Sequence, residues 1–289
     1  MKALHVALIV KNTPASYARE DKNAGYFSYA VPEFRWDYFS PGKGETVNTG
    51  AFAALGFDAI LHIDGGNWCD YQPGLPIIYY VIDSTLSDEQ HFLPRFEQAS
   101  KADLVLVDHD DLARFAATGR TVRRWAYCVN DGLFHAAPVK SLDVCFHCGG
   151  HPNREAMRVA LSEMCRANNL SYASGAVALD RYAADLNRAK VVVNIPRTPR
   201  NRPHRVFDAM AAGAALITAP LPDVSGETRK SGLHYIEAAP ADLPDLARRL
   251  ASTNNWQLPA LAGQEWVKAH SWAERAKELR QILYEEFGL

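Results

Sequence analysis

The stretch RAKVVVNIPRTPRNRPHRVFDAMAAGAALIT, residues 188–218, decides how this chain is read. Within it VVVNI, residues 191–195, is a continuous apolar run of strand length, the pattern of a strand covered on both faces of a parallel sheet. Ligands of open parallel sheets gather at the carboxyl ends of the strands, so the loop after Asn194 and Ile195 is a candidate binding edge. From Arg188 to Arg205 there are six basic residues (Arg188, Lys190, Arg197, Arg200, Arg202, Arg205) and no acidic one, in a chain whose net charge is −2. That local excess points to an anion. Pro203 and His204 then open a helix in which Val206, Ala209, Met210 and Gly213 fall at core spacing. Arg205 and Asp208 are left at the edge of that face, expected to look into a cleft. A helix N-terminus favours an anion by about 0.3 to 1 kcal/mol, and a charged hydrogen bond from arginine adds about 1.5 to 3 kcal/mol. Together these suit a diphosphate, and a carboxylate one turn further in suits the hydroxyls of a ribose. The rival reading of the same spacing is an i, i+3 ion pair on the surface.

Short apolar runs alternate with helix-length segments along the whole chain, the mark of βα units and parallel sheets. The fold class is therefore α/β. Strands are expected at 5–10, 59–63, 77–81, 104–107, 122–126, 144–148, 191–195 and 214–218. The stretch AAPVKSL, residues 136–142, divides two such series, giving domains at 1–138 and 139–270. Residues 271–289 form a closing amphipathic helix, with Ala273, Ala276, Leu279, Ile282 and Leu283 in one stripe. Residues 12–48 show no strand or helix pattern but are rich in aromatic side chains, so they read equally as an acceptor-binding lid and as a surface insertion.

The sequence has 289 residues, 48% hydrophobic and 22% charged, which is a globular composition. No apolar run reaches the roughly 18 residues that span a bilayer, so membrane insertion is not expected. Lys2 and the apolar run after it fall short of a signal peptide because that run is brief and holds His5. Five scattered cysteines (Cys69, Cys128, Cys145, Cys148, Cys165) imply no disulfide framework and fit a reducing cytoplasm.

The run RVFDAMAAGAALIT resembles the nucleotide-sugar signature of GT-B glycosyltransferases, particularly the CgeB-like (spore-maturation-protein-like) group, in which an acidic residue precedes an AMAAG or ACGA run. The similarity continues through DVCFHCGGHPNREAMRVAL (143–161), LNRAKVVVNI (186–195), LPDVSGETRKSGLHYIEAAPADLPDLARRL (221–250) and HSWAERAKELRQIL (270–283). It is weaker in FDAILHIDGGNW, PGLPIIYYVIDST and ADLVLVDHDDLARFAATG of the first half. The resemblance implies two Rossmann-like domains facing a cleft, with the final helix packing back on the first. It implies a hexosyltransferase-like enzyme that moves a sugar from a nucleotide sugar, a UDP-sugar by preference, with retention and without a metal or other cofactor. It gives Asp208 the ribose and Arg205 the phosphates, and sets Gly149 and Gly150 beside those phosphates; the strand end, basic run and helix start add His204, Asn194, Arg197 and Arg202 to the expected donor site. The wider retaining group carries a glutamate eight positions before Asp208, where this chain has Arg200.

The acceptor, whether glycan, small molecule or macromolecule, is expected on the first domain. Asp64 and Asp83, at strand ends there, are the catalytic candidates beside Arg205, with His109 a further possible base and ordinary turns the competing reading. PGKGET, residues 41–46, lacks the spacing of a phosphate-binding P-loop, and no GxGxxG follows the first strand. Cys145, His147, Cys148 and His151 invite zinc, but strand alternation disperses them. Asp108, Asp110 and Asp111 precede an apolar helical pattern and read as helix caps rather than as a metal cluster. Two other functions stay open: a non-catalytic sugar-nucleotide or glycan-binding protein of this fold, and a glycosyltransferase acting on modified DNA. The near-neutral charge argues against nucleic acid.

Overall fold

A computed structural model describes residues 2–10, 31–39, 46–63, 69–81, 89–108, 111–149, 152–197, 203–222 and 228–289. The chain divides into two compact units, one made of Met1–Cys128 with Trp272–Leu289 and the other of Val129–Ser271. Residues 129–138, assigned from sequence to the first domain, thus belong to the second unit, where the Val129 amide donates to the carbonyl of His270.

The first unit is built on a six-stranded parallel sheet of β1 (Leu4–Val10), β2 (Phe34–Phe39), β4 (Ala59–Ile63), β6 (Ile77–Val81), β7 (Leu104–Val107) and β8 (Thr121–Arg124), in the order β2-β1-β4-β6-β7-β8. A separate two-stranded ribbon pairs β3 (Val47–Asn48) with β5 (Cys69–Asp70). Every residue of β4, β6 and β7 is buried, as continuous apolar runs require when both faces are covered. Helices α1 (Glu89–Ala99) and α2 (Leu112–Ala116) follow β6 and β7. Strand β2 corrects the expectation that residues 12–48 hold no strand. Its edge position explains the miss: Arg35 is exposed and Asp37 half-buried, so the run lacks the unbroken apolarity of its neighbours. Phe34 and Trp36 lie against Trp272, with ring centroids 6.4 and 5.6 Å away. Asp37 accepts a hydrogen bond from Nε2 of His5 at 2.8 Å.

Trp272 opens the last helix of the chain, Trp272–Phe287, whose buried face of Trp272, Ala276, Leu279, Ile282 and Leu283 is the expected stripe, with Ala273 half-buried at its margin. That helix packs on the first unit. Arg123 on β8 pairs with Glu286 and Glu285, and the Trp125 indole donates to the carbonyl of Arg275 at 3.1 Å.

The second unit carries a five-stranded parallel sheet of β9 (Leu142–His147), β10 (Tyr172–Gly175), β11 (Ala189–Asn194), β12 (Ala215–Thr218) and β13 (Ile236–Glu237), in the order β10-β9-β11-β12-β13. The helices of this unit are α3 (Pro152–Ala167), α4 (Leu179–Arg188), α5 (Arg205–Ala211), α6 (Leu243–Ala251) and α7 (Gln257–Val267). The helix that closes the chain, Trp272–Phe287, is therefore α8. One core gathers Val144, Phe146, Leu161, Val191, Val193, Ile217 and Leu243. Lys140, just before β9, joins two helix ends: its ammonium donates to the carbonyl of Asn187 at 2.7 Å and to that of Ala212 at 2.5 Å. A cation there meets carbonyls that have no partner inside their own helices. The strand order reverses its direction of progression between the parallel strands β9 and β11: β9 is followed outward by β10 on one side and β11 by β12 and β13 on the other. Doubly wound sheets bind ligands at the carboxyl ends of such a pair.

Candidate functional site

Strand β9 ends at His147 and runs into Cys148 and Gly149, while β11 ends at Asn194. These two strand ends, with the start of α5, build a buried polar floor. Oδ1 of Asn194 accepts from Nη1 of Arg205 at 2.8 Å, and Nδ2 of Asn194 donates to Oγ1 of Thr218 at 2.9 Å. The Thr218 hydroxyl in turn donates to the carbonyl of Ala219. Arg205, Asn194 and Thr218 thus form a row across the ends of β11 and β12. Arg154, in the first turn of α3, donates to the carbonyl of Ile195, just past the end of β11, at 3.0 Å.

Helix α5 departs from the expectation of an exposed edge: every residue from Arg205 to Ala211 is buried. Arg205 keeps 8% of its surface and Asp208 none, so neither lies in open solvent and the surface-pair reading fails. Asp208 accepts from the Tyr182 hydroxyl of α4 at 2.7 Å. Among the described residues Nε of Arg205 is buried without a hydrogen-bond partner. A buried donor of this kind forfeits about 1 to 3 kcal/mol until an acceptor reaches it. His204 stands half-buried at the N-cap position of α5 and makes no side-chain cap bond. Gly149 is buried and Arg197 exposed.

A second buried row lies on β9 and α4. The His147 ring faces the carbonyl of Gly175 through Nδ1 at 3.1 Å and Oδ2 of Asp185 through Nε2 at 2.9 Å. Asp185 also accepts from Arg181 at 2.9 Å and from Arg188 at 2.7 Å. Burial opposes its charge, yet the hydrogen bonds from Arg188, His147 and Arg181 hold the carboxyl below its ordinary range. Burial first, and then the charge of Arg205, keep His147 below its usual pKa against the pull of Asp185 and Gly175. The thiol of Cys145, on the same strand, is pushed up to about 12 by burial and stays protonated. Cys148 packs on the opposite face with Val144 and Phe146, so strand alternation separates it from His147. Among the described residues no group of three potential metal ligands comes together.

Of the residues expected in the donor site, the structure brings Arg205 and Asn194 into contact and places Asp208, His204 and Gly149 on the helix and strand ends nearby. Arg202, Gly150, Asp64, Asp83, His109, Asp110, His151 and Arg200 lie outside the described residues, as do PGKGE of residues 41–46 and most of residues 12–48. The capping roles expected in the first unit are different. Asp111 occupies the N-cap position of α2 without a side-chain cap bond. Oδ1 of Asp108 instead accepts from the Tyr127 amide at 2.6 Å, because the chain leaving β8 returns beside the end of β7.

Tyr182, Asp185 and Thr218 escaped sequence reasoning. For Asp185 a signal exists: it shares the buried face of α4 with Tyr182, Ala183 and Leu186, a place where a carboxylate needs partners.

Residues 132–281 match the model of a family described as glycosyl transferase-like. No curated protein sequence matches the chain. Among solved structures, Alr3699/HepE of Anabaena, crystallised with UDP and glucose, is similar over 98% of this chain and 100% of its own, with a TM-score of 0.62 and 12% identity. Sucrose-phosphate synthase of Thermosynechococcus elongatus covers 99% of both chains, with a TM-score of 0.58 and 15% identity. The pneumococcal O-GlcNAc transferase GtfA, crystallised with UDP and GlcNAc, is similar over 82% of this chain and 59% of its own, with a TM-score of 0.52 and 12% identity. The architecture is that of GT-B glycosyltransferases, with two Rossmann-like α/β units.

Proposed function

The chain belongs to the glycosyl transferase-like family, and we propose that it is a CgeB-like enzyme transferring a hexose from a UDP-sugar to an acceptor hydroxyl. The observation that carries this reading is the buried Nε of Arg205, which has no hydrogen-bond partner among the described residues, at the carboxyl ends of β9 and β11. A diphosphate oxygen is the acceptor that such a donor calls for, and structural neighbours crystallised with UDP support the choice of nucleotide. In this reading the Asp208 carboxylate holds the ribose, while His204 and the amide of Gly149 border the diphosphate. Arg197 and Arg202 add positive charge from the loop after β11.

Chemically, the anomeric carbon loses a diphosphate, so negative charge grows on the leaving oxygens. A fixed guanidinium stabilises that charge more in the transition state than in the bound donor. Arginine supplies it without a metal, and we propose a metal-independent reaction with retention at the anomeric carbon. The acceptor would be taken up by the first unit, where Asp64 and Asp83 are the candidate catalytic groups.

A thermal-shift screen against UDP-, GDP- and dTDP-sugars tests the donor assignment: one nucleotide class should raise Tm, since a ligand at 100 times its Kd adds about 2.7 kcal/mol. UDP release with acceptor pools then tests the chemistry. No shift with any sugar nucleotide overturns the donor reading, and binding without nucleotide release marks a non-catalytic binder.

A further inference from the structure

We propose that His147 takes up a proton when the diphosphate of a sugar nucleotide settles beside Arg205, so that donor binding is linked to pH through this one imidazole; the inference rests on the donor reading above. The starting point is geometric. Both ring nitrogens of His147 point at acceptors, Nδ1 at the carbonyl of Gly175 at 3.1 Å and Nε2 at Oδ2 of Asp185 at 2.9 Å. A neutral imidazole has one N–H and satisfies one of them, while the other nitrogen turns a lone pair toward an acceptor. An imidazolium satisfies both.

The surroundings explain why the proton is withheld in the free protein and why a donor would change this. His147 is only 3% exposed, and burial is the largest influence holding its pKa down. Asp185 on α4 favours the charged ring, but Arg181 and Arg188 already share that carboxylate, at 2.9 and 2.7 Å. From α5 the guanidinium of Arg205 opposes the proton. Of the other titratable groups here, burial raises the Tyr182 hydroxyl, whose ring centroid is 5.9 Å away, and lifts the Cys145 thiol to about 12, while the Asp208 carboxyl of α5 is held by that same Tyr182 hydroxyl at 2.7 Å. Among the described groups, Arg205 is the charge that opposes the imidazolium and that also faces the proposed diphosphate. A diphosphate on Arg205 offsets that opposing charge, and the proton comes from solvent.

His147 is in this sense a positioning residue. It joins the ends of β9 and β10 to α4 immediately before Cys148 and Gly149. Protonation on binding would fasten the strand from which the phosphate-side loop departs.

The test uses UDP-glucose, whose diphosphate is esterified at both ends and has no proton to exchange near neutrality, with GDP-mannose as the second probe. Calorimetric titrations of the full chain between pH 5.5 and 8, in buffers of different ionisation heat, should show net proton uptake. Affinity should rise as pH falls between the bound and free pKa of His147, by at most tenfold per pH unit for one proton. In His147→Gln, which keeps a donor for Asp185 but cannot titrate, the uptake and the pH dependence should vanish. The NMR titration of the His147 ring in the unaltered protein should move to higher pH with the probe present, and it decides the question if the variant fails to fold. Binding without proton uptake, uptake undiminished in His147→Gln, or an unmoved ring titration overturns the inference and leaves the donor reading intact. Absence of binding by both probes overturns the two together.

Discussion

The Tyr182 hydroxyl donates to Oδ2 of Asp208 at 2.7 Å in a setting where Tyr182 keeps 5% of its surface and Asp208 none. Burial and the adjacent carboxylate both raise the Tyr182 pKa, so the phenol remains a donor throughout the accessible pH range. The carboxylate assigned to the ribose is thereby held in one orientation by the neighbouring helix.

Tyr182→Phe removes that donor and leaves a buried carboxylate oxygen short of a partner. Urea unfolding should show a loss of about 1 to 3 kcal/mol. If Asp208 holds the ribose equally before and during reaction, donor KM should rise several-fold with kcat little changed, and Asp208→Ala should exaggerate the same split. Wild-type donor affinity in Asp208→Ala would remove the ribose role.

Arg205→Gln takes away the cation while keeping an amide that can reach Asn194. Transition-state charge is then less well balanced, and kcat for nucleotide release should fall by about 100-fold or more, against a smaller change in KM. Equal activity in the variant would place the leaving group elsewhere.

His62, fully buried on β4, has its pKa lowered to about 3 by burial. Its Nδ1 contacts the Tyr71 hydroxyl at 2.6 Å. Because the unfolded chain binds a proton at about 6.5 and the folded chain does not, stability is complete above that pH. It should decline as pH falls from about 6.5 toward about 3, by up to about 1.4 kcal/mol per pH unit from this residue. Denaturant curves for the wild type and His62→Gln, compared between pH 7 and 5, should converge by that slope. Parallel curves would contradict the assignment.

Gly213 has φ +63°, and a Cβ there would stand 2.8 Å from Cβ of Ala136. Its amide closes the end of α5 on the carbonyl of Met210. Gly213→Ala should therefore cost more than the roughly 1 kcal/mol of the left-handed backbone alone, read as a lower urea midpoint.

By itself the sequence determined the parallel α/β class, most of the long strands and the closing helix, because a strand covered on both faces leaves an unbroken apolar run and a one-sided helix leaves a stripe. It also marked Arg205 and Asn194, since a helix start and a strand end are local features. Only the tertiary structure decided that Arg205 meets Asn194 and that α5 is buried throughout. The same holds for His147 with Asp185, 38 positions apart, and for Tyr182 with Asp208, 26 apart. It also recruited the charged run FRWDYF as the edge strand β2. Such pairings depend on where the chain returns after a crossover, and local spacing does not encode that.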